Sequence, residues 1–185
     1  MAPTKTIPFF YILYSKGYLT TFSATPDVFE EKINNHEDGR QIIEALVCGS
    51  YSSFTFPIIF HQVDGKIFRD FLDMRLYSAY LVSSRVKELL EENNISGWKT
   101  YPILLFDRNN KAILDYHGFS VTGRGGTFSI IGNNYKYDVS QWDGSDFFIV
   151  DNRTIVITET VMRLLKRNKI SALNFIPLQE KFTIF

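Results

Sequence analysis

One cysteine, Cys48, is all that the 185 residues contain. That excludes an intramolecular disulfide and any multi-cysteine zinc site, and it fits a reducing compartment. Excess charge is missing as well. Twenty Lys and Arg offset 20 Asp and Glu, so the basic surplus of a general nucleic-acid binder is not present. No apolar run approaches the roughly 18–20 residues of a membrane-spanning helix. Ile7 to Tyr14 is apolar, but it is short, holds Pro8 and lacks small cleavage-site residues after it, so no export signal is read. Histidine is scarce: His36, His61 and His117 stand far apart, without the i+3 or i+4 partners of helical metal motifs. The expectation is a soluble cytoplasmic protein with no metal or other cofactor, no nucleic-acid partner and no membrane partner. The oligomeric state stays open.

What is present is aromatic. Phe, Tyr and Trp make up 16% of the chain, beside 45% hydrophobic and 22% charged residues, which excludes a disordered chain. Aromatic side chains favour pleated, half-buried surfaces, and they are also enriched at interface cores. A β-rich core and a recognition face are therefore both open readings. The length suits one domain, or two small ones sharing a core.

Along the chain, Ile7 to Tyr14 reads as a strand returning over Tyr18 to Phe22. Thr25-Pro26-Asp27 starts a helix by hydroxyl cap, Pro at N1 and an acid at the positive dipole end, covering Val28 to Ile33. Gln41 to Val47 carries a second helical pattern. Phe54 to His61 reads as a strand ending at the turn dipeptide Asp64-Gly65. Ser83 or Ser84 caps a helix Arg85 to Asn93, with Val86, Leu89 and Leu90 on one face. Trp98 to Phe106 and Ala112 to Phe119 read as strands around the turn Asp107 to Asn110. Gly123-Arg124-Gly125-Gly126 breaks the chain before a strand Phe128 to Ile131. Phe147 to Val150 and Ile155 to Ile157 flank a hairpin turn. A last helix covers Val161 to Asn168, and Phe175 to Leu178 closes as a strand.

Sliding the sequence by 75 residues lays Leu81–Pro102 over Val156–Pro177. Val86, Leu89, Leu90, Asn93, Ile95, Ser96 and Pro102 fall on Val161, Leu164, Leu165, Asn168, Ile170, Ser171 and Pro177. Two amphipathic helices align through their leucines in any case, but the Asn, the Ile-Ser pair and the distal Pro lie outside helix periodicity. The fold expected is α+β, with mixed or antiparallel sheets on which a duplicated helix–strand unit packs. Residues 1–74 form an N-terminal part and 75–185 the duplicated part, sharing one core.

Four groups of residues invite chemistry. Cys48 reads as a small buried hydrophobe unless a histidine and an acid approach it. Gly123 to Gly126 lacks the spacing and the Lys-Ser/Thr of a phosphate loop and reads as a β-turn. The basic run Arg163, Lys166, Arg167 and Lys169 suits the negative end of a helix dipole. The densest constellation is Trp142-Asp143-Gly144-Ser145-Asp146-Phe147-Phe148: a turn locked by aromatics, a recognition patch offering Trp beside acids, or a carboxylate pair for acid–base work.

The capped helix leading to Ser96-Gly97-Trp98-Lys99-Thr100-Tyr101-Pro102, and the Trp142 to Phe148 string ahead of a second such helix and Phe175-Ile176-Pro177-Leu178, resemble a family of bacterial immunity proteins encoded beside polymorphic toxins. The resemblance covers roughly residues 75–185. It implies a cytoplasmic, non-enzymatic protein that binds a cognate toxin and blocks it, with Trp142, Asp143, Asp146 and Trp98 as candidate toxin-binding residues and no catalytic residue. The balanced charge speaks against a purely acidic decoy. Two other readings are a small hydrolase using Asp143 and Asp146 with His117 or Cys48, and a purely structural or regulatory interaction module.

Overall fold

Phe147-Phe148-Ile149-Val150 is buried at all four positions, which a strand shows only where both faces of its sheet are covered. The computed structural model describes residues 9–15, 20–27, 39–52, 54–74, 80–131, 134–151, 154–178 and 183–184. The buried strand is β13 (Phe147–Val150), in a five-stranded sheet with β10 (Gly123–Arg124), β14 (Thr154–Thr158), β1 (Phe10–Ser15) and β15 (Leu173–Pro177), in the order β10-β13-β14-β1-β15. An eight-stranded sheet holds β6 (Trp98–Tyr101), β9 (Tyr116–Val121), β5 (Tyr80–Ser83), β4 (Phe71–Asp73), β2 (Ser23–Pro26), β3 (Ile58–Asp64), β7 (Ile103–Phe106) and β8 (Ala112–Ile113), in that order. A small sheet joins β11 (Phe128–Ile131), β12 (Asn134–Tyr137) and β16 (Thr183–Ile184). The helices described are α1 (Gly39–Cys48), α2 (Ser84–Glu92) and α3 (Glu159–Arg167). The fold is α+β and mostly β, with parallel and antiparallel pairs in each sheet.

The repeat is larger than its helix–strand signature. Strands β6-β9-β5-β4-β2 of the large sheet and β15-β1-β14-β13-β10 of the other have the same order and the same senses: antiparallel three times, then parallel. Trp98 pairs Val121 as Leu173 pairs Ser15, and Tyr101 pairs Gly118 as Ile176 pairs Ile12. In chain order, β1, β2, β4, β5, α2 and β6 match β9, β10, β13, β14, α3 and β15. Each copy places its first strand in the other copy's sheet: β1 lies between β14 and β15, and β9 lies between β5 and β6.

The helix ends repeat down to single bonds. Asn93 Nδ2 donates to the Leu89 carbonyl at 2.8 Å and Asn168 Nδ2 to that of Leu164 at 2.9 Å. Ile95 N–H reaches Leu90 O and Ile170 N–H reaches Leu165 O, both at 3.0 Å. Positive φ recurs at Asn94 and Lys169, and again at Gly97 and Ala172. The Asn that ends each helix therefore bonds the carbonyl four residues back with its side chain, and at Leu164 the Asn168 backbone N–H reaches the same oxygen at 3.1 Å.

One core joins both sheets. Leu13, Phe22, Phe60 and Phe71 pack in the same cluster as Phe119, Phe147, Leu165 and Leu173, so residues before and after position 74 contribute to it. A second cluster on the far face of the five-stranded sheet holds Phe10, Ile12, Phe148, Val150, Val156 and Tyr137, which accounts for the full burial of β13.

Local expectations differ from the backbone where a strand changes neighbours. Trp98 to Phe106 is two strands, not one: β6 pairs β9, while β7 pairs β3 and β8. Pro102 marks the switch; it has no N–H for a ladder, and its carbonyl accepts from Ile58 N–H. Ala112 to Phe119 divides in the same way around Asp115, whose φ is +68°. Gly123-Arg124 is not a free turn but the strand β10, parallel to β13. A Cβ at Gly123 would lie 2.2 Å from the Phe147 carbonyl oxygen, so only glycine allows that approach. The strand expected over Phe54 to His61 runs instead over Ile58–Asp64. The helix expected over 28–33 lies outside the described residues.

Candidate interaction surface

Two carboxylates clasp the halves together. Asp146 Oδ2 accepts from the Ser96 amide at 3.1 Å and the Ser96 hydroxyl at 2.9 Å, and its Oδ1 accepts from Thr158 Oγ1 at 3.0 Å. Asp70 repeats this in the other copy: Oδ2 accepts from the Ser171 amide and hydroxyl, both at 3.0 Å, and Oδ1 from Ser83 Oγ at 3.3 Å. Each Asp opens a strand of one half and binds the Ile-Ser corner of the other. The clasps differ in one respect. Arg85 places Nη1 3.3 Å from both Asp70 oxygens and gives Nη2 to the Asn168 carbonyl; its counterpart on α3 is Thr160, which brings no cation to Asp146.

The other residues singled out from the sequence have internal partners too. Asp143 Oδ2 accepts from Arg124 N–H at 2.7 Å and Oδ1 from Ser145 N–H at 2.9 Å. Partial burial works upward on this carboxyl, but those backbone bonds outweigh it and hold it below the ordinary carboxylate range. Trp142 donates Nε1–H to the Ser145 carbonyl at 2.8 Å and packs edge-on against Phe10, with centroids 5.0 Å apart. Trp98 donates to the Ile95 carbonyl at 2.7 Å and stacks on Phe119. Asp143 is exposed; Trp142, Asp146 and Trp98 are partly buried.

The groups of the hydrolase reading each have separate partners. His117 Nε2 lies 3.1 Å from Ser84 Oγ. Desolvation, followed by the charge of Lys87, lowers its pKa, against Glu91, Asp115 and Glu88. The thiol of Cys48 is raised, chiefly by burial and against the pull of Arg124, so it is protonated at neutral pH and a poor nucleophile. Three amides of the glycine-rich stretch are committed as well: Gly123 N–H bonds Gly97 O, Arg124 N–H bonds Asp143 Oδ2 and Gly125 N–H bonds Ile149 O. Among the described residues, no group of three or more His, Cys, Asp and Glu could hold a metal ion, and no helix is long and apolar enough to cross a membrane.

What sequence reasoning missed is a sheet face. In β3 and β7, Ile58, Phe60 and Leu105 point into the core, and the alternate residues point away. Ile59 stands beside Leu104 and His61 beside Phe106 in the parallel register. Ile59 is 37% exposed, Val63 38% and Leu104 45%. His61 stacks on Phe106 with centroids 5.6 Å apart, and its Nε2 lies 3.3 Å from an oxygen of Asp27. The signal was available: Ile58-Ile59-Phe60 and Ile103-Leu104-Leu105-Phe106 are apolar at successive positions. A strand with only one covered face does not require that.

The fold and this surface define a class by architecture alone: an α+β protein of two strand-exchanged repeats with an apolar sheet extension. No protein-family model matches the chain, and no curated protein matches it significantly.

Proposed function

We propose that the chain is a cytoplasmic immunity protein that binds a cognate bacterial toxin domain stoichiometrically and neutralises it without catalysis. The observation that supports this reading best is the partly exposed apolar face of β3 and β7. Ile59, Val63 and Leu104 surround a His61–Phe106 stack there, with Asp27 and Arg108 at its margin. Grouped apolar side chains with a polar rim are what a protein interface presents before it is covered. The resemblance of residues 75–185 to immunity proteins points the same way. Exposed Asp143 and the accessible edges of Trp142, Asp146 and Trp98 form a second, smaller contact region in this proposal.

The test is co-expression with the toxin encoded beside the gene, read as growth, together with a binding titration of the purified pair. The parent chain should restore growth. Ile59→Asp and Leu104→Asp should each weaken binding at least tenfold, about 1.4 kcal/mol, while the melting temperature stays within a few degrees. A parent chain that neither binds nor rescues would overturn the reading. Full binding by both variants would remove the β3–β7 face from it.

A further inference from the structure

The internal repeat supplies its own control for a groove beside α3. On α2, Arg85 swings across to Asp70 and the Asn168 carbonyl, filling the space between that helix and the end of the other. Its counterpart Thr160 is too short to do so. A groove of about 480 Å³ remains there, lined by Asn93, Ile95, Thr160, Arg163, Leu164 and Arg167. Leu164 is buried and Ile95 half-buried, so the floor is apolar.

The rim has changed sign as well. Arg163 and Arg167 stand where α2 carries Glu88 and Glu92, and Lys166 stands where α2 carries Glu91. Arg163 spends one N–H on Glu159 Oε1 at 2.8 Å and is otherwise exposed, leaving four of its five donors. Arg167 is exposed. The filled side is self-satisfied, a cation held by a carboxylate. The open side combines a vacated apolar slot with two forked donors that suit planar carboxylates.

We propose that this groove receives an acidic segment of a protein partner, with carboxylates on Arg163 and Arg167 and the neighbouring aliphatic carbons on Ile95 and Leu164. A nucleic-acid strand fits less well, because its phosphates need a longer cationic track than these two arginines. The groove is separate from the β3–β7 face, and the proposal stands whether or not the partner is a toxin.

The test uses the full chain with three probes: the capped peptide acetyl-Glu-Leu-Asp-Glu-Leu-amide, its Gln/Asn analogue, and a single-stranded dodecanucleotide. Binding is followed through the backbone amide resonances of Ile95, Thr160 and Leu164. The acidic peptide should bind at least about fivefold more tightly than its amide analogue at low salt and weaken as salt screens the contact. Arg163→Gln with Arg167→Gln should cost about tenfold. Arg163→Gln with Arg167→Glu should erase the preference for acid over amide, with unchanged circular dichroism showing that both variants fold. Equal binding of the two peptides, or undiminished binding by the double-Gln variant, would overturn the proposal. Tighter binding of the oligonucleotide would reassign the groove to nucleic acid. Self-association of the parent that the double-Gln variant abolishes would make the occupant α2 of a second copy and likewise overturn it.

Discussion

Asp70 and Asp146 do the same job in the two halves of the molecule, yet their surroundings differ. Both accept a serine amide, the same serine's hydroxyl, and a hydroxyl at the start of a helix. Asp70 also has Arg85 against both oxygens and retains only 13% side-chain exposure; Asp146 has Thr160 at the equivalent place. A carboxylate withdrawn from water requires partners for its lone pairs, and its cost rises steeply when they are lost. The comparison teaches that a repeated backbone can keep the clasp while one half spends its free surface on internal charge pairing and the other leaves it available.

The largest expected effect comes from cutting the clasps one at a time. Asp70→Ala removes the acceptor of Ser83 and Ser171 and one of the two acceptors of Arg85, and should cost about 3 kcal/mol. Asp146→Ala frees only Ser96 and Thr158 and should cost about 2 kcal/mol. Urea denaturation of both variants checks the order; equal losses would mean that Arg85 adds nothing to the first clasp. Exchanging the differing residues sharpens the point. Arg85→Thr should lose about 1 kcal/mol, because the arginine is more than half exposed. Thr160→Arg should gain a few tenths of that and fill the groove beside α3, visible as loss of peptide binding there.

The smallest effect concerns the exchanged strands, where His117 of β9 occupies the register position of Tyr11 in β1. The folded state holds the His117 pKa below its ordinary value of 6.5, chiefly by desolvation and then by Lys87. Between that lowered pKa and 6.5 the unfolded chain binds more protons, so stability increases with pH there. The contribution of His117 is complete above 6.5 and declines as pH falls through the window. His117→Gln should flatten that slope, measured as melting temperature between pH 5 and 7.5; an unchanged slope would assign it to another group.

Much of the fold was legible where its causes are local. The helices α2 and α3 follow from capping and periodicity within some 20 residues, and the Asn stops, the Ile-Ser corners and the prolines from the 75-residue repeat. The exchange of β1 and β9 was not legible, because nothing in Phe10–Ser15 names a partner near residue 156. Loop lengths also blur the repeat: the offset is 75 residues at Ser96, 76 at Asp146 and 106 at β9. Asp146 attracted notice through its aromatic and acidic neighbours, and the single-residue shift hid its match to Asp70. Pro102 and Asp115 divide stretches that read as single strands, because the change of partner there is set by neighbouring strands and not by local pattern.

The exchange also governs how the chain comes off the ribosome. β1 lies near the start of the chain, but its two neighbours are Thr154–Thr158 and Leu173–Pro177. At about 5–20 residues per second, its ladder waits on the order of ten seconds or more for partners to be synthesised. For that time Phe10-Tyr11-Ile12-Leu13-Tyr14 is an apolar strand with both edges open, the condition under which chains pair with one another. The first copy cannot close its sheet either until β9 arrives. The large sheet has all its strands once β9 is made, whereas the five-stranded sheet waits for β15, so β1 is the strand whose pairing is deferred longest.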